Sequence, residues 1–343
     1  MGDTHVDIKR SNHLAQENFH NYFAKFLKDI FQYCDDHKVK NIVQMGDLFD
    51  NRASIGLWAM DFFIKEFRDQ VIKRRMHCYV IVGNHDIKFK ESIEINSPIM
   101  LLEKFKDNFT VVDAPLDVNI EDMECLIVPW LCKENQESVL ATIQASDAKY
   151  LFGHFELNGF EMYKGQAAKT HHDHTTLSKF DKVFSGHFHH RSIKDNIIYV
   201  GTPWEMTWQC WNDQKGIHEL KDDKLTFIEN PHTIYNKIIY SDDIIIEKDM
   251  VEKKILKLII QNRPDKKKLN SVIEKIYSFG PLELKIEETF SEELASEVSV
   301  VNMKNTRDVL HDFIDDSDIE LKKEELKTIF DALYQEAIMQ DDH

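Results

Sequence analysis

The sequence predicts an α/β fold: a two-sheet sandwich flanked by helices, then a small α/β domain and a C-terminal helical tail. Three observations carry that prediction. Amphipathic helical stretches alternate with short apolar strands as far as residue 82, the rhythm of a layered α/β architecture. Short strands with hairpin spacing follow between 109 and 229, and antiparallel edges there favour two sheets over one doubly wound sheet. Gly-led motifs carrying Asp, Asn or His recur where these strands end, the place at which α/β layers hold ligands.

The chain opens on Gly2-Asp3-Thr4-His5, with only Met1 and Gly2 ahead of Asp3 and no strand leading in. A ligand pair on a frayed terminus would be held loosely, so a reading frame that starts earlier, with an apolar strand, is expected; the alternative is a partly compromised site. Residues 12–36 read as a helix, with Phe19, Phe23, Phe26/Leu27 and Ile30 on one stripe. Strand 41–45 then ends at Gly46-Asp47-Leu48-Phe49-Asp50, and a second helix over 55–73 buries Trp58, Phe62/Phe63 and Phe67. Strand 78–82 delivers Gly83-Asn84-His85-Asp86, where Gly83 lets the backbone turn sharply.

A helix over 97–106 precedes strands at 109–112, 115–119 and 124–128, which close at Pro129-Trp130. Helix 134–144 leads to strand 149–152 and Gly153-His154; residues 158–175 read as a loop rich in Gly, Lys and His. Strand 182–185 gives Gly186-His187-Phe188-His189, and strand 197–200 ends at Gly201-Thr202-Pro203-Trp204. Strands 216–220 and 224–229 form a hairpin completing the second sheet.

Asn230-Pro231 punctuates the chain, which divides into 1–233, 234–289 and 290–343. In the middle piece, strand 253–261, helix 266–278 and strand 282–288 resemble a βαβ unit or a split version of it. Arg263, Lys266, Lys267 and Lys268 cluster in its connection, either as a solvated helix start or as contacts to a DNA backbone. The last piece is a linker over 289–303 and two helical patterns. The clearer, 322–339, sets Leu326, Ile329/Phe330, Leu333 and Ala337 on one face, which fits a partner helix through Leu326, Phe330 and Leu333.

Composition limits the classes available. The 343 residues carry a formal charge of -17, which excludes a uniformly basic nucleic-acid clamp. It does not exclude nucleic acid, because bound divalent cations invert the potential of a carboxylate-rich site. The acid is also uneven: residues 290–343 hold 15 Asp and Glu against 5 Lys and Arg. The 5 cysteines are scattered without C-x-x-C spacing, which points to a reducing compartment and away from a structural zinc. No apolar run is long enough for a membrane span, and no secretory signal pattern is present, so a cytoplasmic protein is expected.

The motifs converge on one metal site assembled from strand-end loops. Two-metal hydrolysis needs a bridging carboxylate, neutral nitrogen ligands and an open position. Asp47 is the natural bridge. Asp3, His5 and one of His187/His189 complete one ion; Asn84, His154 and the other histidine complete the second. Mixed oxygen and imidazole donors suit manganese, iron or zinc better than magnesium or calcium. His85 is left without a metal and faces the open side, where it can protonate a leaving oxygen. Asp50, Arg52 and Asp86 orient ligands. His171, His172, His174 and His190 fall in a polar, exposed loop and receive no role.

The ordered set Asp3-x-His5, Gly46-Asp47-x-x-Asp50, Gly83-Asn84-His85-Asp86, Gly153-His154 and Gly186-His187-x-His189 resembles the calcineurin-like metallophosphoesterases. Ile127-Val128-Pro129-Trp130, the run from Gly153 to Phe160 and Tyr199-Val200-Gly201-Thr202-Pro203-Trp204 are similar to the SbcD-like DNA repair nucleases within them, T4-like phage members included. The resemblance covers roughly 1–235 strongly and the remainder in layout only. It implies Asp3, His5, Asp47 and His189 on a first manganese, Asp47, Asn84, His154 and His187 on a second, and His85 as the catalytic histidine. It further implies 3′ to 5′ exonuclease action on duplex DNA, endonuclease action on single strands, and a place in recombination-dependent replication and DNA end processing. The 234–289 piece becomes a capping domain that steers DNA. The tail docks on the coiled-coil base of an SbcC-like ABC ATPase, giving a heterotetramer around a nuclease homodimer. Two rival readings remain: a metallophosphoesterase for small phosphoesters, and a noncatalytic scaffold of a repair complex.

Overall fold

In the computed structural model, residues 1–8, 13–167 and 175–289 are described, together with Lys323, Leu326 and Lys327. The first helix, α1 (His13–His37), buries Phe19, Phe23, Phe26, Leu27, Ile30, Phe31 and Cys34 along one face, the 3.6-residue stripe expected. Strand β1 (Asn41–Gln44) follows, then α2 (Leu57–Phe62), a wider π-type turn (Phe63–Arg68) and α3 (Asp69–Lys73), where one uninterrupted helix was expected. The π turn keeps Phe63 and Phe67 buried while shifting the helical register.

Strand β2 (His77–Ile81) is followed by a hairpin with no apolar run to announce it, β3 (Ile87–Phe89) and β4 (Ser92–Asn96). Next come α4 (Ser97–Leu102), capped by the Asn96 side chain accepting from Ile99 N at 3.0 Å, and strands β5 (Phe109–Val112), β6 (Leu116–Ile120) and β7 (Met123–Ile127). Helix α5 (Gln136–Ala145) and β8 (Tyr150–Gly153) lead into a short hairpin, β9 (Glu161–Tyr163) and β10 (Gln166–Ala167), inside the segment read as loop. Strand β11 (Lys182–Ser185) precedes the antiparallel pair β12 (Ser192–Lys194) and β13 (Ile197–Tyr199).

Strands β1, β2 and β5 form a three-stranded parallel sheet in the order β1-β2-β5. The second sheet has six strands in the order β12-β13-β11-β8-β7-β6, parallel through its centre and antiparallel at both edges. Period-two alternation apportions the core. Phe152, Phe184, Ile198 and Ile127 point to a cluster shared with Met45, Ile81 and Val112 of the first sheet, whereas Leu151, Val183, Ile197 and Leu126 point to the opposite cluster beneath α5. The helices α1 to α3 close the outer face of the first sheet, where Phe23 stacks on Trp204 with centroids 4.3 Å apart. The result is a mixed α/β layering in which strand ends carry the loops of interest.

The hairpin β14 (Gly216–Lys221) and β15 (Lys224–Glu229) forms where expected but pairs only with itself among the described residues. Its contribution to the second sheet is side-chain packing by Leu220 and Leu225 rather than a ladder. Beyond it, β16 (Tyr235–Ile239) runs parallel to β17 (Ile255–Ile260), followed by α6 (Lys266–Ser278) and β18 (Glu283–Glu288), in the order β16-β17-β18. This sheet has its own apolar cluster, and α6 is capped by the Asp265 carboxylate, which accepts from Lys267 N at 2.8 Å and Lys268 N at 3.2 Å. The approach to β16 is buried: Glu205 accepts from Ile234 N at 2.7 Å and Tyr235 N at 3.0 Å, and Tyr235 joins the large core of α1.

By compactness the chain forms two units, Met1–Ile260 with Pro264–Glu287, and Gln261–Arg263 with Glu288–His343. In the second, Leu326 is helical; Phe330 and Leu333 lie outside the described residues, as do His171, His172 and His174. All the cysteines are free and buried, and among the described residues no helix is long and apolar enough to cross a membrane.

Candidate metal centre

Four strand-end loops and the first residues of the chain meet at one place. The opening segment is not loose. Met1 N donates to Val43 O at 2.8 Å and Met45 N to Met1 O at 2.9 Å, so the chain start runs alongside β1. Thr4 N and His5 N then donate to Asp47 O at 3.0 and 3.1 Å, and Asp3, Thr4 and His5 are buried. The weak hold expected for this ligand pair is corrected by the backbone lacing.

The glycines preceding each motif act mainly through space. Gly46 has φ 105°, the left-handed region open to glycine. Gly83, read as a turn-former, is needed for a different reason: a Cβ there would press into the Asp47 carboxylate and lie 2.5 Å from Asp47 N. At Gly186 a Cβ would lie 2.6 Å from Asp3 Oδ1 and 2.9 Å from His154 Nδ1. Their neighbours His5 (φ 39°), Asp47 (φ 54°) and His187 (φ 79°) hold positive φ without being glycine, strain of the kind that clusters at functional sites.

Three donor groups result: His5 with Asp50 and His85, and the two made only of predicted ligands, Asp3 with His5 and His189, and Asp47 with His154 and His187. The Asp47 carboxylate lies between them: its Oδ2 is 3.3 Å from His154 Nε2 and 3.7 Å from His5 Nε2, while Oδ1 accepts from His85 N at 2.7 Å. Asn84 Oδ1 lies 2.9 Å from His154 Nε2 and 2.8 Å from His187 Nδ1. His5 Nε2 and His189 Nε2 face each other at 3.2 Å, and among the described residues the buried His189 Nδ1 has no hydrogen-bond partner. Asp3 accepts from His187 N at 2.9 Å.

The donor chemistry fits divalent cations. His154 Nδ1 lies 2.7 Å from Met45 O, so that nitrogen carries the proton, and the Nε2 lone pair is left facing two oxygens. Only a proton or a cation can sit there. Burial lowers the basicity of His154, but the Asp47 and Asp3 carboxylates reverse this and raise its pKa to about 9. At His5, burial is likewise overcome, by the Asp50 contact and the Asp47 and Asp3 charges, to about 9. Burial would raise Asp47, yet His154 and His5 hold it well below the usual carboxylate range. Burial keeps His187 (about 3) and His189 neutral, as ligands must be, helped by the positive neighbours His154 and His5 respectively.

Around the donors, Asp86 accepts from Asp47 N at 2.8 Å, Leu48 N at 3.0 Å and Gly83 N at 2.9 Å, tying the β1 and β2 loops together. Asp50 places Oδ1 3.2 Å from His5 Nδ1 and 4.0 Å from His85 Nδ1, and its own N–H is held by Asp7. His85 Nδ1 lies 2.6 Å from Asp50 O, which leaves Nε2 for the open side; the side chain is 36% exposed. Arg52 has a buried Nη1 without a partner among the described residues. The basic residues Lys266, Lys267, Lys268 and Arg263 are exposed, the lysines on the first turn of α6.

His190 departs from its expected exposed state. It is half-buried, with Nδ1 2.9 Å from Asp213 Oδ1; Asp213 also binds Lys215 Nζ at 2.7 Å, and Lys215 donates to His189 O at 2.7 Å. Nothing in the local sequence marks Lys215, because a lone lysine carries no pattern. Trp130 and Tyr163 also border the donors: the Trp130 ring is 5.1 Å from that of His187, and the Tyr163 ring 5.4 Å from that of His189.

The family model for calcineurin-like phosphoesterases matches residues 1–191, which contain every donor described. The chain is 29% identical over 308 residues to the "Exonuclease subunit 1" of Enterobacteria phage T4, covering 89% of this chain and 88% of that one. It is 27% identical over 207 residues to the "Putative phosphoesterase 078R" of Invertebrate iridescent virus 3, covering 59% and 56% of the two chains.

Proposed function

Because this chain belongs to the calcineurin-like phosphoesterase family, and is thus a metal-dependent phosphoesterase, we propose that it is a DNA nuclease of the SbcD-like kind. The observation that carries the reading is the extent of the similarity to a phage exonuclease subunit. It runs over 308 residues, past the phosphoesterase core that a small-molecule enzyme needs. In this reading the enzyme degrades duplex DNA from 3′ ends and cuts single strands, in recombination-dependent replication and end processing in a host cytoplasm.

Asp3, His5, Asp47 and His189 would hold one cation and Asp47, Asn84, His154 and His187 the other, with manganese as the physiological metal. Bound there, divalent ions supply Lewis acidity and positive charge to a phosphodiester and an attacking water. The protein's own contributions are positional. Asp47 holds both donor groups in one frame, and Asp86 fixes the loop that carries it. His85 donates Nδ1–H to Asp50 O and so presents Nε2 to protonate the departing 3′ oxygen. Arg52 and Asp50 orient the surroundings of His5 and His85. Residues 234–289 serve as a capping piece, with Arg263, Lys266, Lys267 and Lys268 along the DNA backbone. Leu326, Phe330 and Leu333 dock on the coiled-coil base of an SbcC-like ABC ATPase, two nucleases pairing with two ATPases.

Manganese-dependent cleavage of end-labelled duplex and of circular single-stranded DNA tests the reading, with bis(p-nitrophenyl) phosphate in parallel. Cleavage of the small diester but no DNA would make this a different metallophosphoesterase. Bound metal with no cleavage of anything would make it a scaffold. The docking proposal is checked by Leu326→Glu with Leu333→Glu, which should abolish capture of the ATPase and spare single-strand cleavage.

A further inference from the structure

We infer that Trp130 and Tyr163 form two aromatic walls, one at each end of the metal-binding cluster, that stack the unpaired nucleobases on either side of the scissile phosphate. The inference rests on the nuclease reading above and names the form of DNA its site takes.

The geometry places the two rings on different donor groups. Trp130 lies against the group of Asn84, His154 and His187, its ring 5.8 Å from that of His154 and 5.1 Å from that of His187. Tyr163 lies against the group of His5 and His189, its ring in a T-shaped contact with that of His189 at 5.4 Å. Asp47 sits between those groups, so a phosphate held over it has one aromatic ring toward each end.

Both residues are half-buried, so neither is sealed within the core. Among the described residues, neither the Trp130 indole N–H nor the Tyr163 hydroxyl has a hydrogen-bond partner. Their backbones, by contrast, are fixed. Trp130 N donates to Val82 O at 2.8 Å, and Asn135 Nδ2 donates to Trp130 O at 3.0 Å. Beside Tyr163, the Met162 carbonyl accepts from His189 N at 3.1 Å and His190 N at 3.2 Å. Each wall is therefore bolted to the motif that it flanks.

The physical chemistry selects the ligand. A nucleobase offers a π face to an aromatic ring, and stacking of this kind is sequence-tolerant. A base inside a duplex already has both faces covered, so only a frayed end, a gap or a single strand can use the walls.

The test perturbs the DNA rather than the fold. Full-length protein with manganese is given thymidylyl-thymidine and analogues in which the 5′ base, the 3′ base or both are replaced by a reduced abasic sugar. Loss of each base should lower kcat/KM of the wild type about tenfold, at the scale of one stacked base. Trp130→Leu should be insensitive to one of the two deletions and Tyr163→Leu to the other. In EDTA, the affinity of wild type for labelled oligo(dT) should likewise exceed its affinity for the abasic oligomer, and this difference should shrink in both variants. Base deletions without effect on the wild type, or with the same effect in wild type and variants, would overturn the stacking inference while leaving the nuclease reading intact. No cleavage of any phosphodiester by metal-loaded wild type would overturn both.

Discussion

Replacing Asp86 probes whether the site is held by an ionised carboxylate that never touches metal. Asp86 is buried, and its Oδ2 accepts two backbone N–H groups, those of Asp47 and Gly83, while Oδ1 accepts that of Leu48. In Asp86→Asn the amide oxygen best keeps the two-bond position, which turns the NH2 group toward Leu48 N–H. One buried donor is lost and two donors oppose each other, at about 2 kcal/mol. Asp86→Ala strands all three donors and costs about 3–6 kcal/mol, a large share of a domain's stability. Because the bonds at stake orient Asp47, manganese affinity should also fall, by about 10- to 100-fold in Asp86→Asn. Urea unfolding of the full chain gives the first quantity and isothermal titration with manganese the second. There is a sharp counter-case. Burial, with the charge on Asp47, raises Asp86 to about 7, and a neutral carboxyl is nearly isosteric with an amide. If Asp86→Asn lies within about 0.5 kcal/mol of wild type and binds manganese equally well, the ionised anchor is wrong.

Three further outcomes follow from the same geometry. His85→Ala should keep full manganese stoichiometry and lose cleavage by about 10²- to 10⁴-fold, the range of a lost general acid; loss of metal together with activity would make His85 a ligand instead. In metal-free protein, His5 and His154 have folded pKa values raised from 6.5 to about 9, so the fold binds more protons than the unfolded chain. Their contribution is complete below pH 6.5 and fades as pH rises through 9, and since cations displace these protons, manganese affinity should climb over the same interval. Titration at pH 7 in buffers of different ionisation enthalpy should reveal proton release, and zero release would contradict the assignment. Charge reversal of Lys266, Lys267 and Lys268, all exposed, should weaken DNA binding and flatten its salt dependence while α6 stays folded, because Asp265 supplies the helix cap. An unchanged salt slope by fluorescence anisotropy would remove these lysines from the DNA path.

The glycines show how much a motif can conceal. Gly83 is conspicuous in sequence as a turn-former, yet of Gly46, Gly83 and Gly186 only Gly46 holds a left-handed φ. Gly83 and Gly186 are small because Asp47, Asp3 and His154 occupy the space that a Cβ would take. The motif glycines thus set how closely the strand ends approach, and through that the separation of the two donor groups.

Local chemistry was enough to determine the layered α/β rhythm, most of the strands, and the residues that the fold brings together at the candidate centre. Periodicity reports burial directly, and a Gly-His or Gly-Asp after an apolar run marks a strand-end loop wherever the strand goes. What periodicity cannot report is pairing. The hairpin of β3 and β4, the short hairpin carrying Tyr163 and the self-paired β14 and β15 depend on partners, which local pattern does not encode. The same limit applied to His190 and Lys215, whose roles exist only because Asp213 lies between them. Above all, tertiary structure decided the fate of Asp3 and His5. Read alone they have no strand leading in; in the fold, hydrogen bonds from Met1, Thr4, His5 and Val6 to Val43, Asp47 and Leu48 fix the segment that carries them.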